Sequence, residues 1–443
     1  MKIALMAMSG IRVCDTELLE LGLTLPGFVE RSKTIASLPS LGLLTLAGMT
    51  PKHHELSYIE VPDLTAVDPL PADFDLIAIS SYSAQIDEAY DLAAQYKSMG
   101  IPVVIGGPHV SVLPHEAIDH CDAVVIGEGE CVWLDVLNDC ENGKLKRIYG
   151  SLKGKYSLND APTPAFELLD ISKYNRLTVQ TSRGCPHRCE FCASSILLVD
   201  EYKQKPMHQV LAEIDKIIDI WKNPFIEFAD DNTFVNKEYW KELLTQLKER
   251  KIKWFTETDL SVSEDEKLLE LMRESGCAQV LIGFESPNQP ALQGVDLRND
   301  WKYNHFTKYK EAIQKIQSHG VTVNGCFVIG LDGHDETIFE QVFEFVKEAK
   351  LYEVQVTILT PFPGTPLYER LKENNRLLEP EAWTKCTLFD LNFEPLNMTQ
   401  EALAGGFKTL VSKLYDDDFT RWRRDHFKKY LRNNPVTKGD RVS

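Results

Sequence analysis

A repeated rhythm of short apolar runs constrains this chain more than any other feature. "KIALMAM" (2–8), "HELSYIEV" (54–61), "DLIAIS" (75–80), "IPVVIGG" (101–107) and "DAVVIGEGE" (122–130) are apolar and β-rich, and helical patterns such as "LPSLGLLTLAGMT" (38–50) and "IDEAYDLAAQYKSMG" (86–100) lie between them. Runs apolar at successive positions suit strands covered on both faces, as parallel strands are. Strand–helix alternation of this kind predicts an α/β, Rossmann-like, doubly wound parallel sheet. Ligands of such sheets sit beyond the carboxyl ends of the strands. The polar and glycine-rich turns fall there: "SSYSAQ" (80–85), "GGPHVSVLPH" (106–115) and "GEGE" (127–130).

The rhythm then breaks and resumes. Residues 146–174 mix Gly, Lys, Asn and Pro without a period and read as a linker. Six further strands are expected at "RLTVQTS", "FIEFAD", "KWFTETD", "AQVLIGFE", "TVNGCFVIG" and "EVQVTILT", with amphipathic helices such as "MHQVLAEIDKIIDIWK" between them. Six β/α units are fewer than the eight of a closed barrel, so a partial (β/α)6 TIM-type barrel follows. The expected organisation is a Rossmann-like domain over 1–145, a linker over 146–174, the partial barrel over 175–380 and a small helical C-terminal region over 381–443.

The net charge of −18 argues against a phosphate backbone as partner. The basic stretch "RWRRDHFKKYLR" (421–432) alternates cations with aromatic residues and reads as a solvated helix face packed on the body. No run reaches the apolar length of a membrane span, and "MKIALMAM" reads as a first strand, not a signal. The ten cysteines, scattered but for one group of three, fit reduced, cytoplasmic thiols. Cys277 and Cys326, in or beside barrel strands, read as buried structural thiols.

Three cysteines are not scattered. "TSRGCPHRCEFCASS" (181–195) places Cys185, Cys189 and Cys192 as C-x3-C-x2-C, directly after the first barrel strand and hence at the barrel mouth. A zinc site and a conventional iron–sulfur cluster each take four protein ligands. Zinc would need His187 as its fourth, from inside the same loop. Three thiolates on a four-iron cube leave one iron open for the amino and carboxylate groups of a methionine-type ligand.

This motif, with Phe191 just before the third cysteine, resembles the radical SAM (S-adenosylmethionine) superfamily. The resemblance implies a [4Fe–4S] cluster on Cys185, Cys189 and Cys192 that reductively cleaves SAM to a 5′-deoxyadenosyl radical. It implies SAM contacts at Asp230 or Asp231 in "FADDNTFV", one of the pair being left to cap the following helix. Further contacts are implied at Glu285 in "GFES" and at Gly330 in "GCFVIGLDG". Where relatives often carry an Arg after the third strand, this chain has "TETDLS", so the sequence names no cation for the SAM carboxylate.

"GGPHVSVLPH" and "DAVVIGEGE" ahead of such a barrel resemble the cobalamin-binding branch of that superfamily. The implied corrin ledge is Ser80, Ser81, Gly106, Gly107, Gly127 and Glu128, with glycines allowing close backbone approach. The D-x-H-x-x-G signature is missing, so His109 is not expected on cobalt. The implied function is cobalamin-dependent C-methylation of an unactivated carbon in a small-molecule, lipid or peptide substrate. An electron donor such as flavodoxin or ferredoxin is also implied, and no nucleic-acid partner. The alternative is a radical SAM enzyme catalysing cyclisation, rearrangement or another non-methylating reaction, with a degenerate cobalamin domain. No residue is assigned as catalytic.

Overall fold

A computed structural model describes residues 1–20, 38–66, 71–152, 156–194 and 201–433. The remaining parts of the expected domains and linker lie outside the described residues. Two six-stranded parallel sheets organise the chain.

The first sheet contains β1 (Lys2–Met8), β2 (Glu55–Val61), β3 (Leu76–Ser80), β4 (Val103–Gly106), β5 (Ala123–Gly127) and β6 (Ile148–Ser151), in the order β2-β1-β3-β4-β5-β6. Its middle strands are buried along their length, as their uninterrupted apolar runs require. One face packs on the helix Ile86–Ser98 through Ile86, Ala89, Leu92 and Ala93. The other is covered by helices Leu41–Met49 and Trp133–Glu141. Chain order reverses between β1 and β3, which makes their carboxyl ends the topological switch point and the expected ligand crevice. β6 lies within the stretch expected as linker. Only Tyr149 of its four residues is buried, so this edge strand has little apolar signature.

The second sheet contains β7 (Leu177–Val179), β10 (Phe225–Phe228), β11 (Lys253–Thr258), β12 (Cys277–Glu285), β13 (Thr322–Ile329) and β14 (Glu353–Ile358), paired in that order and all parallel. A two-stranded antiparallel hairpin, β8 (Ser182–Arg183) with β9 (Lys203–Gln204), interrupts it after β7. Among the described residues β14 does not pair with β7, so the barrel is open. Strand alternation divides its residues. Ile226, Phe228, Trp254, Val280, Ile282 and Phe284 pack in the core against the helices, whereas Glu227, Phe255, Glu257 and Leu281 face the other way, into the lumen.

Helices Gln400–Leu414 and Asp417–Asn433 close the β14 edge. The basic stretch is helical, and it is not solvated throughout. Arg423 is fully buried, 3.4 Å from Glu353 and bonded to the carbonyls of Tyr352 and Leu414. Phe427 is also buried, while Trp422 and Tyr430 are exposed. Among the described residues no helix is long and apolar enough to cross a membrane.

Candidate active site

The cysteine loop leaves β7 at the barrel mouth and is fastened by carboxylates from three directions. Asp231 accepts from the Gly184 N–H at 2.7 Å and from the Ser194 hydroxyl. Asp259, after β11, accepts from His187 Nε2 at 3.2 Å and from Asn232 Nδ2 at 2.7 Å. Asp296 accepts from the Arg188 and Arg298 N–H groups, both at 3.1 Å. Asp296 also forms an antiparallel bridge with Cys189, next to a 2.9 Å bond from Glu190 N–H to the Val295 carbonyl. A fork from Arg370 grips Glu190 at 2.6 and 3.0 Å and also pairs with Asp332. Gly184 turns the chain into this loop at φ +91°, where a Cβ would lie 2.9 Å from the Glu201 carbonyl oxygen.

Cys189 is buried, and Cys185 and Cys192 are half-buried. Burial pushes the Cys185 thiol up to about 11 and that of Cys189 to about 12, with Cys192 adding a like-charge contribution to each. A bound metal would reverse this and release the protons. Among the described residues, the one set of three His, Cys or carboxylate donors lying within 4.8 Å of one another is His53, His54 and Glu141, far along the chain. His187 Nε2 meets Asp259, its Nδ1 lies 3.6 Å from Asp296 without a hydrogen bond, and its ring packs at a tilt against Trp301, 4.9 Å away. Three thiols on one loop fit a four-iron cluster with one iron left open. Phe191 is half-buried and packs on the barrel core beside the trio.

Glu285 ends β12 at φ +63°, unusual for a residue with a side chain, and a register shift precedes it. Its carboxylate pairs with Lys302, a half-buried cation near Cys189. A Cβ on Gly283 would lie 2.5 Å from Glu285 Oε1 and 3.1 Å from Lys302 Nζ, so this glycine makes room for the pair. Nothing in "WKYNH" marks Lys302 from sequence, yet it brings a cation close to the cysteine loop.

Asp230 and Asp231 divide differently from expectation. Asp230 is buried, and its carboxylate accepts from the Thr181 and Ser182 N–H groups at 2.7 and 3.0 Å and from the Thr181 hydroxyl. Burial raises its pKa to about 6 against those donors. Neither aspartate caps the following helix; Asn236 does so for Lys237–Leu247, accepting from the Tyr239 N–H. Gly330 sits at φ +102° with Phe393 in the way of any Cβ, at 2.7 Å, and donates to His334 Nδ1 at 3.2 Å. His334 Nε2 lies 2.9 Å from Ser286 Oγ, which ties the ends of β12 and β13 together.

On the first sheet, Ser80 and Gly106 are half-buried at adjacent strand ends and pair in register. Ser81 is buried, and its N–H points to the Gly106 carbonyl. Gly107 (φ +113°) and Gly127 (φ +74°) are demanded by the chain itself: Cβ atoms there would lie 2.5 Å from the Ser81 oxygen and 2.4 Å from the Ser151 oxygen. Glu128 accepts from Arg183 at 3.0 Å and from Lys203 at 2.9 and 2.8 Å, and Glu130 also pairs with Arg183. These contacts bind the first sheet to the β8–β9 hairpin beside the cysteine loop. Tyr82 is 55% exposed at the same edge, with Glu227 of the barrel close enough to act on its hydroxyl. The switch point thus offers a side-chain-poor ledge with one free aromatic ring facing the barrel, which fits a flat macrocycle. His109 is not available to a ligand: its Nδ1 meets Ser83 Oγ and its Nε2 meets Glu116 Oε1, each at 3.0 Å.

Known proteins are similar to this chain in sequence and in fold. Residues 179–377 match the model of the Radical SAM superfamily, residues 35–136 that of the B12 binding domain, and residues 365–441 a domain of unknown function. Bacteriochlorophyllide d C-12(1)-methyltransferase of Chlorobaculum tepidum is 28% identical over 85% of this chain and 82% of its own length. Hopanoid C-2 methylase of Rhodopseudomonas palustris is 25% identical over 78% of this chain and 66% of its own. Among solved structures, the radical SAM methyltransferase TsrM of Kitasatospora setae, with cobalamin and a [4Fe-4S] cluster bound, superposes with a TM-score of 0.64. It covers 84% of this chain and 75% of that one at 14% identity, a likeness of fold.

Proposed function

The chain belongs to the radical SAM superfamily and carries a B12-binding domain ahead of the barrel, and from that premise we propose that it is a C-methyltransferase acting on an unactivated carbon. When bound, the cluster and SAM supply a radical that removes hydrogen from that carbon, and cobalamin supplies the methyl group.

The protein's part is placement. Cys185, Cys189 and Cys192 would hold the cluster, and Asp231, Asp259, Asp296 and Arg370 fix their loop against the strand ends. Lys302, partnered by Glu285, offers a cation for an anionic group at the mouth. Ser80, Gly106 and Tyr82 would line the corrin ledge, and Glu128 with Glu130 holds that ledge against the cysteine loop. The methylating relatives support methyl transfer. A low-potential electron donor such as flavodoxin or ferredoxin, and a cytoplasmic setting that keeps the thiols reduced, belong to the same reading.

The observation that carries the proposal is the trio of thiols on one loop after β7, at the mouth that the β8–β9 hairpin holds against the glycine-rich edge of the first sheet. Its test is anaerobic turnover with a reductant and candidate substrates. S-adenosylhomocysteine accumulating together with 5′-deoxyadenosine supports methyl transfer. Deoxyadenosine alone, in the presence of converted substrate, supports a non-methylating reaction instead.

A further inference from the structure

Glu257 stands apart from the charges that surround it in the lumen. In β11, Trp254 packs edge-on to Phe228 at 5.3 Å, and the Thr256 hydroxyl bonds the Phe228 carbonyl at 3.0 Å, so both point outward to the helices. Phe255 and Glu257 therefore point inward. The register Glu257↔Leu281 and Leu281↔Asn324 places Glu257 and Asn324 in one row across the lumen wall. Thr178↔Glu227 and Glu227↔Phe255 form the row beneath. Glu257 is solvent-exposed although it lies in the middle of a sheet, so the lumen admits water to it.

The charges around it are already matched. Glu227 pairs with Arg176 at 2.5 Å, Glu285 with Lys302, and Asp231 with Gly184 and Ser194. Glu257 makes no hydrogen bond or ion pair with any described residue. Confinement in the lumen, then the Glu227, Asp231 and Glu285 charges, raise its pKa to about 7.

A second observation points the same way. Thr178 Oγ1, Asn324 Oδ1 and Gln355 Oε1 are buried without a partner, and their residues are 5%, 2% and 4% exposed. All three share the inward face: Thr178 pairs with Glu227, Asn324 with Leu281, and Gln355 with Cys326 two residues on from Asn324. An unmatched buried polar atom costs about 1–3 kcal/mol, so several on one wall indicate complementarity to something not supplied by the chain. Beside them the rings of Phe225 and Phe255 lie nearly parallel, 5.9 Å apart, as a flat apolar wall.

We propose that this wall is the substrate subsite and that Glu257 anchors there a cationic or N–H-donating group carried on a flat apolar body. The substrate class is then a nitrogen-bearing aromatic or heterocyclic compound, not a pure hydrocarbon. The inference rests on the reading of the barrel as the reaction chamber of a methyltransferase.

Two isosteres test it on the reconstituted holoenzyme: naphthylmethylamine and ethylnaphthalene, which differ only in the ammonium group. Wild-type protein should bind the amine about tenfold tighter, the effect of one partly hydrated charge pair. The preference should grow from pH 6 to 8 as Glu257 loses its proton, since Arg176, Glu227, Asp231, Glu285 and Lys302 are already paired and the Cys326 thiol is held protonated by burial. In Glu257→Gln the preference should fall to about twofold and lose its pH dependence. Equal binding of the two probes by wild-type protein overturns the proposal. So does a fall in SAM affinity in Glu257→Gln that matches the fall for the amine, because Glu257 would then serve SAM. SAM cleavage by wild-type protein is scored separately; its absence removes the methyltransferase reading and the proposal with it.

Discussion

Replacing Asp296 should loosen the cysteine loop without touching a cysteine. Asp296 is 4% exposed, and one of its oxygens accepts from two backbone N–H groups, those of Arg188 and Arg298, both at 3.1 Å. A third donor, the Trp301 N–H, is at 3.4 Å and adds little. Hydrogen bonds to a charged acceptor contribute about 1.5–3 kcal/mol each, and these are partly exposed, so the low end applies. Asp296→Ala should then cost about 3 kcal/mol in holding the loop, a factor on the order of 10² in its opening equilibrium. The backbone bridge between Cys189 and residue 296 survives the substitution, so the fold should persist. Asp296→Asn keeps the oxygen that accepts both N–H groups and should cost about 1 kcal/mol. Amide hydrogen exchange at Arg188, read in the metal-free protein, gives the factor directly. Burial pushes the Asp296 carboxyl up, but the three N–H donors hold it below its ordinary value. The stabilisation is therefore complete above the usual carboxylate range and fades as pH falls through the lowered folded value. Unchanged Arg188 protection in Asp296→Ala would refute the reasoning.

Other perturbations follow from the same contacts. Gly107→Ala forces a side chain into φ +113° and against the Ser81 oxygen, so the melting temperature should drop for a loss of at least about 2 kcal/mol, whether or not cobalamin is present. Glu128→Ala leaves Lys203 without its carboxylate while Arg183 keeps Glu130; urea unfolding should show a loss of about 2 kcal/mol, and proteolysis should speed at the β8–β9 hairpin. His109→Ala should lower stability by opening the Ser83–His109–Glu116 chain, yet leave the visible spectrum of bound cobalamin unchanged.

The α/β fold was legible because apolar runs in the interior of a parallel sheet cannot be disguised: eleven strands were expected and each contains a strand of the structure. β6 escaped because an edge strand with one buried residue in four carries no run. The C-x3-C-x2-C loop was legible as chemistry, since three thiols in eight positions have few structural explanations. Its supports were not. Asp259, Asp296 and Arg370 reach it from partners 72 or more residues away, and sequence offers no way to see that closure. Of the pair at 230 and 231, neither is the helix cap that the sequence suggested, since Asn236 takes that place, and both carboxylates accept from loop N–H groups. Glu257 did leave a trace: it alternates with Trp254, Thr256 and Thr258, and so belongs to the face opposite the tryptophan.

The central claim is that Cys185, Cys189 and Cys192 hold an iron–sulfur cluster that cleaves SAM. It is tested most directly by iron and 5′-deoxyadenosine measured together on anaerobically reconstituted protein, wild type beside the Cys185→Ala, Cys189→Ala and Cys192→Ala variants. The account predicts about four irons per wild-type chain and deoxyadenosine on reduction with SAM. Each variant should keep its circular dichroism spectrum and lose both. Stoichiometric zinc with no iron chromophore in wild-type protein, or deoxyadenosine formation surviving in any of the three variants, would contradict it.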